Sequence, residues 1–219
     1  MATMSPTERR HVTESVATGS TAEVIGGVAA VVLAILGLAD VAPGFMLTIA
    51  TIAVGAALVF EGGALAAEYS KIISKTAEGT LQTTEVGGGM TAEMMGGIAG
   101  IVLGILALLG LDTMTLSASA LIVFGATLAV SAGMTSRLND LKIQASEAHE
   151  TAQHVAHEAV TAAADTQVLV GVAAAVLGIL ALVGIAPMPL ALVGLLSVGA
   201  SVLLSGSAVG GRLLSMFRR

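Results

Sequence analysis

Uncharged apolar stretches of helix length alternate with short polar breaks along most of the chain. From Met94 to Leu111 run 18 uncharged residues, then Asp112, then 24 more from Thr113 to Ser136. About 20 predominantly apolar residues are enough for an α-helix to cross a bilayer's hydrocarbon core. The pattern predicts a membrane hairpin: helix, tight turn, helix. One version of it stands before this stretch and another after it.

The three versions are an internal repeat. Thr21-Ala22-Glu23-Val24-Ile25-Gly26-Gly27 returns 70 positions later as Thr91-Ala92-Glu93-Met94-Met95-Gly96-Gly97. Leu103-Gly104-Ile105-Leu106-Ala107-Leu108 returns 74 positions on as Leu177-Gly178-Ile179-Leu180-Ala181-Leu182. Gly55, Gly125 and Gly199 share one place in the second helix of each unit. The expected fold is an all-α membrane protein: six transmembrane helices as three hairpins, 21–69, 91–138 and 165–213, related by a pseudo-threefold. Around them lie an N-terminal segment 1–20, cytoplasmic linkers 70–90 and 139–164, and a basic tail 214–219.

Small residues recur at helical spacing. Gly96, Gly100 and Gly104 form a small-xxx-small ridge, matched by Gly26, Ala30 and Ala34 in the first unit and by Ala174 and Gly178 in the third. In lipid, helices associate by packing and not by hydrophobic exclusion, so small residues that let backbones approach read as helix contacts. A substrate path would call for unwound, Pro-interrupted or polar helices, and the helix interiors lack these.

The segments VLGILALVG…PLALVGLLSVGASVLLSG and VLGILALLG…LSASALIVFGATLAVSAG resemble the short repeat of the HdeD-type bacterial membrane proteins. The resemblance covers about two thirds of the chain. It implies six helices in three hairpins and a role in acid and general stress resistance, and it brings no catalytic residues with it.

Composition narrows the class. The chain is 55% hydrophobic and 11% charged, where a soluble domain carries about 25% charged residues. Thr166 to Gly211 gives 46 residues without a charge, so a soluble helical core is disfavoured. Without cysteine, disulfides, thiolate metal sites and cysteine nucleophiles are excluded. The net charge of −6 supplies no basic stripe for nucleic acid.

Charge placement predicts orientation. Arg9, Arg10, Lys71, Lys75, Arg137, Lys142, Arg212, Arg218 and Arg219 are all the basic residues, and none lies at a hairpin tip near Asp40, Asp112 or Pro187. The positive-inside rule then puts both termini and both linkers in the cytoplasm of a multi-pass inner-membrane protein. Polar residues precede the first apolar run, so that run reads as a signal anchor and not as a cleaved leader.

Outside the spans, Ser5-Pro6-Thr7-Glu8 is a helix start, with serine as cap, proline first and glutamate completing a capping box. It predicts a short surface helix. Ser20 and Glu23 repeat the box before the first span. In linker two, Leu138, Leu141, Ala145, Ala148, Ala152, Val155, Ala159 and Ala162 form a heptad seam. The seam predicts a cytoplasmic helix that meets another copy of the chain or a partner membrane protein. In linker one, Gly87-Gly88-Gly89 reads as a flexible joint.

Three sets of residues are candidates for chemistry. Glu61 is an acid well inside a span, with Ser131 and Ser205 at the equivalent places. Intramembrane carboxylates are costly and often functional; the alternative is an interfacial residue reaching the headgroups. Glu23 and Glu93 are equivalent to each other and to Gln167. They read either as a cation-collecting ring or as acids favoured at helix N-termini by the macrodipole. Glu150, His154 and His157 share one helical face, as a transition-metal site, as a pH-responsive face or as a plain solvated face opposite the seam. No mechanistic motif appears and no cofactor is implied. The expectation is a non-catalytic membrane scaffold or accessory subunit, with a proton or cation carrier using Glu61, Glu23 and Glu93 as the rival and a metal-binding subunit behind both.

Overall fold

The computed structural model describes the backbone of residues 6–75, 83–144 and 150–217, and side chains over 21–63, 91–132 and 166–206. It is all-helical: α1 Pro6–Leu38, α2 Pro43–Lys75, α3 Thr83–Leu108, α4 Thr113–Gln144, α5 Glu150–Leu182 and α6 Pro187–Phe217. Five apolar segments of 18 residues or more are long enough to span a membrane: Thr21–Leu38, Pro43–Gly63, Thr91–Leu108, Thr113–Ala132 and Pro187–Gly206. The sixth, Thr166–Leu182, has 17 residues and takes the place in α5 that the first and third segments take in α1 and α3. The protein is a multi-pass, all-α membrane protein.

The three hairpin turns are built alike. Asp40, Gly110 and Gly184 occupy one equivalent place and have left-handed backbone, with φ of 65°, 87° and 90°. In the first turn the Asp40 N–H donates to Gly37 O at 3.1 Å and the Val41 N–H to Leu36 O at 3.0 Å. Gly110 with Leu111, and Gly184 with Ile185, repeat that pair of bonds. This is the Schellman closure, which satisfies carbonyls that the helix end leaves orphaned. The next helix then starts on Pro43 or Pro187, for which the first helical position suits a residue without an N–H. Where α4 starts on threonine instead, Asp112 supplies a cap, its Oδ1 accepting from the Thr115 N–H at 3.3 Å.

The hairpins close into a ring in which each helix packs on its neighbours and α6 returns to α1. The second helices, α2, α4 and α6, also meet one another at the centre. Their inward residues, among them Leu47, Val54, Leu58, Leu121, Phe124, Leu128, Leu195, Val198 and Val202, form the fully buried core. The first helices stay outside. Ile25, Val28, Val32 and Ile35 of α1 are exposed, as are their equivalents Met95, Ile98, Val102 and Ile105 of α3 and Leu169, Val172, Val176 and Ile179 of α5. An apolar exterior over an apolar interior suits lipid, which solvates such a surface without penalty.

Where hairpins meet, backbone touches backbone. A Cβ on Gly97 of α3 would stand 2.6 Å from the Gly55 carbonyl oxygen of α2, and one on Gly171 of α5 would stand 2.6 Å from that of Gly125 in α4. Gly27 of α1 completes the set against Gly199 of α6, at 3.0 Å.

Beyond the spans the helices simply run on. α1 is unbroken from Pro6 to Leu38, where a separate surface helix was expected before the span. α3 starts at Thr83 and passes through Gly87-Gly88-Gly89; glycine costs about 1 kcal/mol relative to alanine in a helix but does not obstruct it. Along linker two, α4 continues to Gln144 and α5 begins at Glu150. The side chains of the alanine seam lie outside the described residues.

Candidate functional site

The site sits at the end of the bundle remote from the turns. Antiparallel hairpins bring the start of each first span level with the end of each second span. Glu23, Glu93 and Gln167 on α1, α3 and α5 thereby meet the level of Glu61, Ser131 and Ser205 on α2, α4 and α6. The two sets, separate in the sequence, are one cluster.

Its carboxyls are buried: Glu23 is 4% exposed, Glu61 6% and Glu93 1%. Ser205 donates its hydroxyl to Glu61 Oε1 at 2.9 Å, and Ser131 donates to Glu93 Oε1. The serines at Glu61's equivalent positions therefore divide, one serving Glu61 and the other Glu93. The Glu23 carboxyl lies against α6, where a Cβ on Gly206 would stand 3.1 Å from its Cδ. All three acids are within electrostatic reach of one another. Gln167 approaches the Glu61 carboxyl, but its Nε2 makes no hydrogen bond of normal geometry. One oxygen of each acid is likewise buried without a partner: Glu23 Oε1, Glu61 Oε2 and Glu93 Oε2.

No basic side chain occurs among residues with described side chains; their remaining charged groups are Asp40 and Asp112 at the turns. An acid at the centre of a membrane helix costs about 2.5–3.5 kcal/mol on insertion scales. Three bare carboxylates near one end would still weigh heavily against a typical folding stability of about 5–15 kcal/mol. The expected role of Glu23 and Glu93 as helix-start acids does not apply, because α1 begins at Pro6 and α3 at Thr83.

Between this cluster and the turns, Val54, Leu58, Phe124, Leu128, Val198 and Val202 close the centre, each at most 1% exposed. Near the far end Thr48 bonds Phe45 O of its own helix at 2.9 Å and Thr51 bonds Leu47 O at 2.8 Å, whereas the buried Ser117 hydroxyl has no partner. The polar site thus has an apolar floor.

The glycine candidates occupy helix contacts, though not one common face. Gly96 and Gly100 pack on Thr127 and Phe124 of α4, whereas Gly104 packs on α2, where a Cβ would meet Ile52 Cγ1 at 2.6 Å. Gly26 faces Ala57 at 2.8 Å, Gly178 faces Ile122 at 2.7 Å, and Ala174 is fully buried. Sequence reasoning missed Gly27, Gly97 and Gly171, although each ends a repeated Gly-Gly or stands at its equivalent. Glu150, His154 and His157 lie on α5 outside the described side chains, so their proposed metal site is not placed. Among the described residues, no three acidic or histidine side chains are close enough to hold a metal ion.

Comparison with family models, curated proteins and solved structures finds no match.

Proposed function

We propose that the protein is a non-catalytic, HdeD-like membrane protein that works through packing and assembly, as a stress-related scaffold or accessory subunit of the inner membrane with both termini cytoplasmic. The observation that carries this reading is the apolar floor. Phe124, Val54 and Val198 and their neighbours fill the centre of the ring, and a conduit needs a polar or hydrated path there. Assembly through the alanine seam is part of the same proposal.

A second reading, a carrier that moves protons or cations on Glu61 with Glu23 and Glu93, is favoured by the three unpartnered carboxyl oxygens. Flux measurements on the protein in sealed liposomes separate the two. The scaffold reading expects proton, sodium and potassium leak no greater than in protein-free vesicles under an imposed gradient. Protein-dependent flux of any of them would replace it with the carrier.

A further inference from the structure

The stripe on which α5 meets α4 leads, beyond the membrane spans, to the histidines. Gly171 packs on Gly125 and Ala129 of α4, Ala175 on Gly125, and Gly178 on Ile122 and Ala118. These α5 positions are three and four residues apart, the alternation that keeps one face of a helix on its neighbour. Carried back along the unbroken helix Glu150–Leu182, it reaches Val168, Ala164, Thr161, His157, His154 and Glu150. Along α4 the same alternation runs on from Ala129 to Ala132, Ser136, Asn139 and Ile143, with Asp140 beside it. A plain solvated face would lie off this stripe.

Two constraints fix the register. Gly125 and Gly171 are in contact within the spans, and only five residues separate the end of α4 at Gln144 from the start of α5 at Glu150. A short connection of this kind joins antiparallel neighbours, and α4 with α5 is the most extensive helix pair of the ring. Gly125 stands 19 residues before Gln144 and Gly171 stands 21 after Glu150, so both helices reach the connection together. Asp140 is 15 residues past Gly125, and His157 is 14 before Gly171. They share one level, with His154 a turn nearer the connection. Neither Arg137 nor Lys142 falls on the α4 stripe.

His154 and His157, three residues apart, are neighbours on one helix surface. Glu150 and His157 are seven apart, about 10 Å along the axis, which is too far to share an ion. The carboxylate that completes a set with both histidines is therefore the one across the helix contact. Two imidazoles and a carboxylate suit a divalent first-row transition ion.

We propose that His154 and His157 of α5 and Asp140 of α4 form a transition-metal site that ties the two helices together beyond the membrane spans. The site stands apart from the acidic cluster and serves a scaffold or a carrier equally.

The test takes the full chain, without a histidine tag, in detergent and metal-free buffer, and titrates it calorimetrically with zinc, nickel and magnesium ions. Zinc or nickel should bind at one ion per chain, and magnesium, which takes oxygen ligands, should not. His157→Ala and Asp140→Asn should each weaken binding by at least the about 10–100-fold that loss of an outer-shell partner costs. Glu150→Gln and His11→Ala should leave it unchanged. The register has its own check, because Ser136 and Ala164 each lie seven residues from the Ala129–Gly171 contact. Ser136→Cys with Ala164→Cys should form a disulfide in the otherwise cysteine-free chain. No binding of zinc or nickel to the unaltered chain would overturn the proposal. So would binding that is lost with Glu150→Gln but kept with Asp140→Asn, which would place the ion on α5 alone.

Discussion

Gly97 of α3 and Gly55 of α2 lie with their backbones in contact: a Cβ added to either would come within 2.8 Å of the other's carbonyl oxygen. The obstructing atoms are backbone, so no rotamer change can make room. Gly97→Ala should cost about 1–3 kcal/mol, the usual range for overpacking, and Gly97→Leu should abolish folded protein in detergent. Gly63→Ala is the internal control, since nothing lies within 4 Å of its Cβ position. Equal loss of monodisperse yield for Gly97→Ala and Gly63→Ala would show that α2 and α3 do not approach this way.

Much of this architecture can be read before any coordinates are seen, because lipid imposes few solutions. Apolar runs of spanning length separated by Asp40, by Asp112 or by Pro187 leave little but hairpins, and the threefold repeat then places equivalent residues together. The cluster was less legible for a geometric reason. Glu23 is 17 residues before Asp40 and Glu61 is 19 after Ala42, so at 1.5 Å per residue both lie about 26–29 Å from the turn. That equality of depth could have joined the two acidic sets; which helices face inward could not be told, since neither the inner nor the outer face is polar. The Gly27 and Gly97 contacts were hidden likewise, as two adjacent glycines gave no sign of which one faces the next hairpin.

The turns provide an independent test. Asp40 adopts φ of 65° where the other two units have glycine, and left-handed backbone costs an L-residue roughly 1–2 kcal/mol. Asp40→Gly should raise thermal stability by up to about 1 kcal/mol, and Gly110→Ala should lower it by a similar amount. Thermal unfolding in one detergent measures both. A stabilising Gly110→Ala would contradict the assigned turn.

Orientation can be checked chemically because the chain has no cysteine. The nine basic residues are absent from the turns, which predicts that Ala42→Cys and Ala148→Cys label from opposite sides of the membrane. Ala148→Cys should react with an impermeant maleimide only after the cells are opened. Labelling of both positions in intact cells would reverse the assignment.

The last prediction concerns which serine serves which acid. Glu61 and Ser131 occupy equivalent positions, yet Ser131 bonds Glu93 while Ser205 bonds Glu61. A double-mutant cycle with Glu61→Ala and Ser205→Ala should therefore give a coupling energy near 0.6 kcal/mol and no more than about 1.7, the range found for side-chain hydrogen bonds within membranes. The cycle pairing Glu61→Ala with Ser131→Ala should give about zero on the same scale. Glutamine retains an acceptor for Ser205, so Glu61→Gln should fold and should lose less stability than Glu61→Ala, which leaves the serine unpaired in a buried site at about 1–3 kcal/mol. Unfolding in a lipid-like detergent supplies all four corners of each cycle. Coupling of Glu61 to Ser131 larger than to Ser205 would mean that the ring closes in a different register, with α2 nearer α4 than α6 at this depth.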